Sequence, residues 1–129
     1  MPIAHFTLAT RDVAQTSAFL EAAFSWRPVE RPNNVPRDAN WLDVGRGQEL
    51  HLLRVDGFEI SPFEAEFGRH FAFFHPLADF DGLKSRLAEQ GAELIDPIRE
   101  TPFERFFFRD PVNGYIFEII EDSQAPRSS

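Results

Sequence analysis

Cysteine is absent from this 129-residue sequence, and its absence excludes several kinds of chemistry at once. Disulfide bonds, thiolate nucleophiles and cysteine-bound zinc or iron–sulfur centres all need a residue that the chain does not contain. Basic residues are scarce too, because 13 lysines and arginines accompany 21 acidic residues and give a net charge of −8. An acidic chain without a basic patch argues against binding to nucleic acid or to an anionic membrane.

Long apolar runs are also missing from the sequence. No stretch approaches the roughly 20 consecutive apolar residues that a transmembrane helix needs, and the first residues lack the basic and apolar segments of a secretory signal. We therefore expect a cytoplasmic protein. The chain does contain 43% hydrophobic residues, among them 15 phenylalanines, which is enough for the core of one domain.

Four polar side chains stand out because each lies in its own apolar strand. They are His5, His51, His70 and Glu118. An ionised carboxylate inside a strand costs free energy unless it is paired or bound to a metal, so Glu118 calls for a partner. A single histidine in an apolar strand is more often a core residue than a metal ligand. Four such groups together predict a shared divalent metal ion.

The hydrophobic periodicity predicts the order β-α-β-β-β twice, in a single domain of the α+β class. Module 1 covers residues 2–55, a link covers 56–68, module 2 covers 69–121, and a disordered tail covers 122–129. Asp12 and Asp79 are predicted to cap the two helices. The spacing from His5 to His70 nearly equals that from His51 to Glu118, which places each residue at an equivalent point of its module. The hydrophobic link is expected to pack as a short helix or loop.

Strand alternation predicts where these side chains point. In the first strand Phe6 and Leu8 would face the helix, which sends His5 to the opposite face of the sheet. In the last strand Glu118 shares a face with Ile116 and Ile120. Two sheets, each covered by a helix on one face, would then curve around a cavity that receives the four polar groups.

Aromatic and basic side chains near the predicted site allow two interpretations. Trp41, Phe74, Phe106 and Phe108 are interpreted as core residues, although any that line the cavity would favour a partly apolar substrate. Arg105 and Arg109 are interpreted as solvated residues of a half-exposed strand. The alternative is an arginine that binds an anionic substrate group. Trp41, Phe74 and Arg105 are the candidate substrate contacts.

Several segments carry a resemblance to a known superfamily. They are His5 in the first strand, Arg11-Asp12-Val13 at the start of the helix, Glu49-Leu50-His51-Leu52-Leu53, His70, and the ending from Phe107 to Ile119. That ending is similar to the pattern F-x-D-P-x-G-x-x-x-E, with one extra residue before the glycine. The doubled βαβββ pattern and these segments resemble the vicinal oxygen chelate superfamily, which includes glyoxalase I, extradiol dioxygenases and the fosfomycin- and bleomycin-resistance proteins.

The resemblance implies a fold of two βαβββ modules forming an incomplete barrel around a central cavity, and a homodimer. It implies that His5, His70 and Glu118 bind a divalent metal: Fe2+, Zn2+, Ni2+, Co2+ or Mn2+. His51 departs from the Glu or Gln found at that position in glyoxalase I, so it is either a fourth ligand or an acid/base beside the metal.

The implied activity is that of a metal-dependent enzyme acting on a small molecule chelated through neighbouring oxygens. It would be a lyase or isomerase, or an extradiol-type oxygenase. Glu118 and His51 are the candidate catalytic residues. The alternative is a metal-free protein that binds a drug or another small molecule in the same cavity.

Overall fold

The structure, a computed structural model, describes residues 3–30, 34 and 38–122. The predicted disorder of the tail concerns residues that lie outside this range, apart from Asp122. The chain divides into two compact units, unit 1 (Met1–Glu59) and unit 2 (Ile60–Ser129). No helix in the described ranges is long and apolar enough to cross a membrane.

The described residues of unit 1 form one helix and a four-stranded sheet. Its elements are β1 (His5–Thr10), α1 (Val13–Phe24), β2 (Arg27–Val29), β3 (Ala39–Gly45) and β4 (Gln48–Arg54). The strand order is β1-β4-β3-β2, in which β1 and β4 run parallel and the other pairs antiparallel. The predicted cap of α1 is confirmed, since Asp12 Oδ1 accepts the Gln15 backbone N–H at 2.9 Å. The helix ends at Ser25, which adopts the left-handed conformation.

Unit 2 repeats this arrangement. Its elements are β5 (Phe71–His75), a short 3-10 helix (Leu77–Asp79), α2 (Phe80–Glu89), β6 (Glu93–Ile95), β7 (Arg105–Arg109) and β8 (Ile116–Glu121). The strand order is β5-β8-β7-β6, with β5 and β8 parallel. The two sheets confirm the predicted α+β class and the doubled βαβββ order, and neither sheet closes on itself as a barrel.

The core of each unit lies between its helix and the sheet. Leu8, Leu42, Leu50 and Leu52 are almost fully buried on the α1 side of the first sheet. On the α2 side of the second sheet, Phe80 contacts the edge of Phe106 with ring centroids 5.4 Å apart. Strand alternation therefore sends every second side chain to the opposite face, which we call the far face of each sheet.

Asp79 occupies the N-cap position of α2, as predicted. Asp79 makes no side-chain cap bond to α2, because both of its carboxylate oxygens are already engaged. Oδ2 lies 2.6 Å from Arg86 Nη2 and 2.9 Å from His75 Nε2. Hydrogen bonds from Arg86 and His75 lower the pKa of Asp79, although burial opposes the shift. The carboxylate thus connects the end of β5 to the last turn of α2.

The link forms turns rather than a helix, and its residues contact unit 2. Buried Glu64 accepts the Ile116 N–H at 2.9 Å through Oε1 and pairs with Arg69 at 2.8 Å through Oε2. Gly68 has no room for a side chain, since a Cβ there would collide with the Phe63 carbonyl group. The link from Ile60 onward is therefore a fitted part of unit 2.

Candidate metal centre

Three rings are stacked on the far face of the first sheet. His51 on β4 lies between His5 on β1 and Trp41 on β3. The His5 and His51 ring centroids are 4.0 Å apart at an interplanar angle of 11°. The Trp41 and His51 centroids are 3.9 Å apart at 4°. Alternation from the buried Leu50 explains why all three rings share this face, as the sequence predicted for His5.

A carboxylate that the sequence did not single out completes this group. Glu49 Oε1 lies 2.8 Å from Nε2 of His51, two residues along the same strand. Residues two apart in a strand share a face, so the position of Glu49 two residues before His51 could have identified it. The contact orients the His51 ring edge-on to an acid, so that this pair can hold or exchange a proton. Trp41 Nε1 is buried without a hydrogen-bond partner.

His70 and Glu118 meet on unit 2. His70 lies just before β5, and its Nε2 is 3.1 Å from Oε1 of Glu118 on β8. Its other nitrogen, Nδ1, is 3.1 Å from the carbonyl oxygen of Ala65 in the link. Because a carbonyl oxygen can only accept, Nδ1 carries the hydrogen of this contact. A neutral His70 ring therefore presents a lone pair at Nε2 to a carboxylate oxygen, and two acceptors so close require a proton or a metal ion to share.

Arg105 holds the second oxygen of Glu118. Its Nη1 donates to Glu118 Oε2 at 2.9 Å, and its Nη2 donates to Glu66 Oε2 at 2.8 Å and to the Arg99 carbonyl at 2.6 Å. The Arg105 side chain is 2% exposed. The interpretation of Arg105 as a solvated residue is therefore wrong: its strand position lies on the far face, where two carboxylates compensate the cost of burying the charge.

Glu66 is a second functional candidate that sequence reasoning missed. It lies in the link, 39 residues before Arg105, and nothing in its local sequence indicates the contact. Desolvation acts to raise the pKa of Glu66, but the amides of Ile98 and Arg99 and the Arg105 guanidinium lower it from 4.5 to about 2. Glu66 is therefore an anion at every pH at which the protein would work.

The candidate aromatic residues occupy different environments. Phe106 and Phe108 are core residues, as interpreted, with 2% and 0% exposure. Phe74 is 65% exposed, so its interpretation as core is wrong. It belongs to β5, an edge strand, and alternation places its ring on the far face. Trp41 is half-buried by its stack on His51.

A cleft of about 860 Å³ opens beside α1 in unit 1. Its walls include Arg11, Ser17, Asn40 and Arg54, and neither His5 nor His51 is among the lining residues. The cleft lies on the helix side of the sheet, so it does not belong to the candidate metal centre.

Comparison with known proteins decides the family. The chain matches the Glyoxalase/Bleomycin resistance protein/Dioxygenase superfamily over residues 2–119. The chain belongs to this superfamily. The sequence resemblance to vicinal oxygen chelate proteins is thereby confirmed.

Individual relatives of this superfamily are distant in sequence. The chain is 23% identical to "Glyoxylase I 4" of Arabidopsis thaliana over 128 residues, which are 95% of this chain and 71% of the relative. A Bacillus anthracis protein described as a glyoxalase family member is 25% identical, with a TM-score of 0.75 and coverage of 95% of this chain and 96% of that one. The fosfomycin resistance protein FosX of Listeria monocytogenes, solved with Mn(II) and sulfate, is 17% identical. Its TM-score is 0.72, with coverage of 95% and 93%.

The donor atoms of this superfamily member fit a divalent metal. A metal-bound histidine commonly donates its other ring N–H to a carbonyl or carboxylate group, as His70 does to Ala65. Imidazole and carboxylate ligands suit zinc, iron, nickel, cobalt and manganese. Within the described residues of either unit taken alone, no three His, Asp or Glu side chains are grouped to hold a metal ion. Unit 2 thus contributes a pair, His70 and Glu118, and a three-ligand site needs a further donor.

Proposed function

We propose that the protein is a metal-dependent enzyme that binds a small molecule through two neighbouring oxygen atoms. His70 and Glu118 are proposed as ligands, with His5 as the third, supplied by the same chain or by a second copy. One observation carries the proposal: the Ala65 carbonyl fixes the hydrogen on Nδ1 of His70 and leaves Nε2 aimed at Glu118. This arrangement suits a cation between the two side chains.

The reaction class is proposed as a lyase or isomerase, or an extradiol-type oxygenase. A bound divalent ion would supply Lewis-acid activation of the substrate oxygens. His51, 2.8 Å from Glu49, is proposed to move a proton, with the carboxylate orienting its ring. Glu118 can take part through Oε1, since Oε2 is held by Arg105. Mn2+ is the first ion to test, because the FosX likeness includes a structure with Mn(II).

Trp41 and Phe74 are proposed as substrate contacts that favour a partly apolar molecule. Phe74 offers an exposed ring, and its strand position shares a far face with Glu118. An anion contact by Arg105 stays a prediction, although its buried contacts favour a role toward Glu118. The homodimer and the cytoplasmic location also stay predictions.

The metal content of untagged protein tests the proposal. We expect close to one divalent ion per proposed site by mass spectrometry, after purification without chelators or reconstitution with Fe2+, Zn2+, Ni2+, Co2+ or Mn2+. The His70→Ala and Glu118→Ala variants should lose the ion. His75→Ala is the matched control. His75 lies on β5 and pairs with Asp79, so its substitution should leave the metal in place.

A second candidate is a metal-free binding protein. It is favoured by the same 3.1 Å contact, since a protonated His70 and Glu118 could form an ion pair without a metal. A wild-type protein that takes up none of the five ions would contradict the enzyme proposal and leave this candidate, to be pursued by screening small aromatic molecules for thermal stabilisation.

A further inference from the structure

We propose that Arg105 and Glu66 are positioning residues that prepare Glu118 to bind a metal through one oxygen atom with its negative charge intact. The inference rests on the proposed function, because it assigns roles around a proposed ligand. It concerns two residues that would touch neither the metal nor the substrate.

Arg105 determines which oxygen of Glu118 is available to bind a metal. A carboxylate can bind a cation through one oxygen or through both. Here Oε2 accepts a charge-assisted hydrogen bond from Arg105 Nη1 at 2.9 Å, whereas Oε1 faces Nε2 of His70. The guanidinium thus blocks ligation through both oxygens and holds the carboxylate plane in one orientation. Glu118 is left with one oxygen on the side of His70.

The hydrogen-bond donors of Arg105 are shared between two carboxylates. Arginine–carboxylate pairs frequently form a two-bond fork onto a single carboxylate. Arg105 instead divides its two Nη groups between Glu118 and Glu66, while its buried Nε has no hydrogen-bond partner. This split geometry gives up one hydrogen bond and leaves Oε1 of Glu118 facing His70, as a positioning role requires.

Glu66 balances the positive charge of Arg105. Arg105 alone would cancel the charge of Glu118 and weaken its attraction for a cation. Glu66 restores the balance, because two carboxylates and one guanidinium together carry one net negative charge. The side chains of Arg105, Glu118 and Glu66 are 2%, 9% and 10% exposed, so solvent screens these charges poorly. The fixed anion at Glu66 therefore lets Arg105 orient Glu118 without neutralising the site.

Glu66 is itself held rigidly for this purpose. Its Oε1 accepts the Ile98 N–H at 2.7 Å, and its Oε2 accepts the Arg99 N–H at 3.1 Å. These amides lie in the segment between β6 and β7, so the carboxylate is fixed by backbone that belongs to no strand. The anchoring keeps the anion beside Arg105 whether or not a metal is present.

Two variants separate the charge from the geometry. Glu66→Gln keeps the shape and removes the balancing charge, so we expect Mn2+ affinity measured by calorimetry to fall about tenfold, the lower end of effects around metal ligands. Arg105→Lys keeps the charge but cannot span both carboxylates. It should change affinity less, while the visible absorption spectrum of the Co2+ form shifts because Oε2 is released. Glu93→Gln is the matched control. Glu93 is the exposed partner of Arg109, which lies on the same strand as Arg105.

The outcomes distinguish this inference from the proposed function. Loss of affinity in Glu66→Gln together with a changed Co2+ spectrum in Arg105→Lys supports the positioning roles, provided that circular dichroism shows both variants folded. If one variant does not fold, the other decides alone. Wild-type affinity and spectrum in the folded variants overturn this inference and leave the metal site standing. A wild-type protein that binds neither ion overturns both.

Discussion

The far faces of the two sheets use the same backbone for different chemistry. Both sheets have a first strand parallel to the last strand of its unit, and both present polar side chains opposite the helix. On unit 1 the far face is a stack of aromatic rings, with Glu49 as the acid at its edge. On unit 2 it is a series of charged contacts that runs from Glu66 through Arg105 and Glu118 to His70.

The difference shows which part of a repeated fold is constrained. Strand order and the apolar helix side must be kept in both units, since they form the core. The far face does not contact the helix, so its residues can diverge toward separate roles. Rings that stack tolerate small displacements, whereas a buried charge network requires every partner. We therefore expect unit 2 to be the more sensitive of the two faces to substitution.

The largest expected effect is the loss of the charge network on unit 2. Arg105→Met would leave Glu118 buried without its cation, which should reduce the free energy of unfolding by about 3–5 kcal/mol. Arg109→Met on the same strand is the control, because Arg109 and Glu93 are 42% and 63% exposed and such pairs contribute below about 1 kcal/mol. Chemical denaturation measures both. Equal losses in the two variants would refute the asymmetry between buried and exposed pairs.

A smaller effect is expected from breaking the ring stack on unit 1. His51→Ala removes two stacked contacts of about 0.5–1.5 kcal/mol each, so we expect a loss of about 1–3 kcal/mol. In a Trp26→Phe background Trp41 is the sole tryptophan, and its fluorescence should change with the stack. Glu49→Gln should preserve the emission, as it leaves the rings in place. Unchanged emission in His51→Ala would show that the stack does not form in solution.

The smallest effect is confined to acid pH. The pKa of Glu66 is about 2 in the folded protein against 4.5 as the ordinary value, so its ionised form stabilises the fold above about pH 4.5. That contribution should disappear as the pH falls toward 2. Glu66→Gln should show a shallower decline in denaturation midpoint over this range, with Glu89→Gln on α2 as the control. Parallel declines in wild type and Glu66→Gln would contradict the contacts assigned to this carboxylate.

Periodic features of the sequence were enough to predict the fold. Alternation around Leu8 and Leu50 and the Asp12 cap predicted strands and helix correctly, because these signals are local. Asp79 is also at its predicted N-cap position, but its side chain makes no capping bond to α2, since Arg86 and His75 take its oxygens and both contacts arise only after folding. Phe74 failed as a core residue because periodicity does not reveal which strand lies at an edge.

The candidate centre was predictable only in part. His5, His51, His70 and Glu118 could be selected because a polar residue in an apolar strand is conspicuous. The contact of His70 with Glu118 also follows from the strand order, once β5 and β8 are known to be neighbours. Glu66 could not be selected, because an acidic residue in an irregular segment of an acidic chain carries no signal. Its role depends on the distant backbone of residues 98 and 99.

The contacts of the link determine where the halves of two such proteins can be joined in a chimera. Three successive residues of the link contact other parts of unit 2. Glu64 contacts the start of β8, Ala65 the ring of His70, and Glu66 the guanidinium of Arg105. A crossover placed after Gly68 would deliver a C-terminal half from which all three had been removed. A crossover between Glu59 and Ile60 would transfer them with it. Chimeras and circular permutants should therefore be joined at the earlier boundary, and a one-residue insertion within Glu64–Glu66 should be as damaging as a substitution in the core.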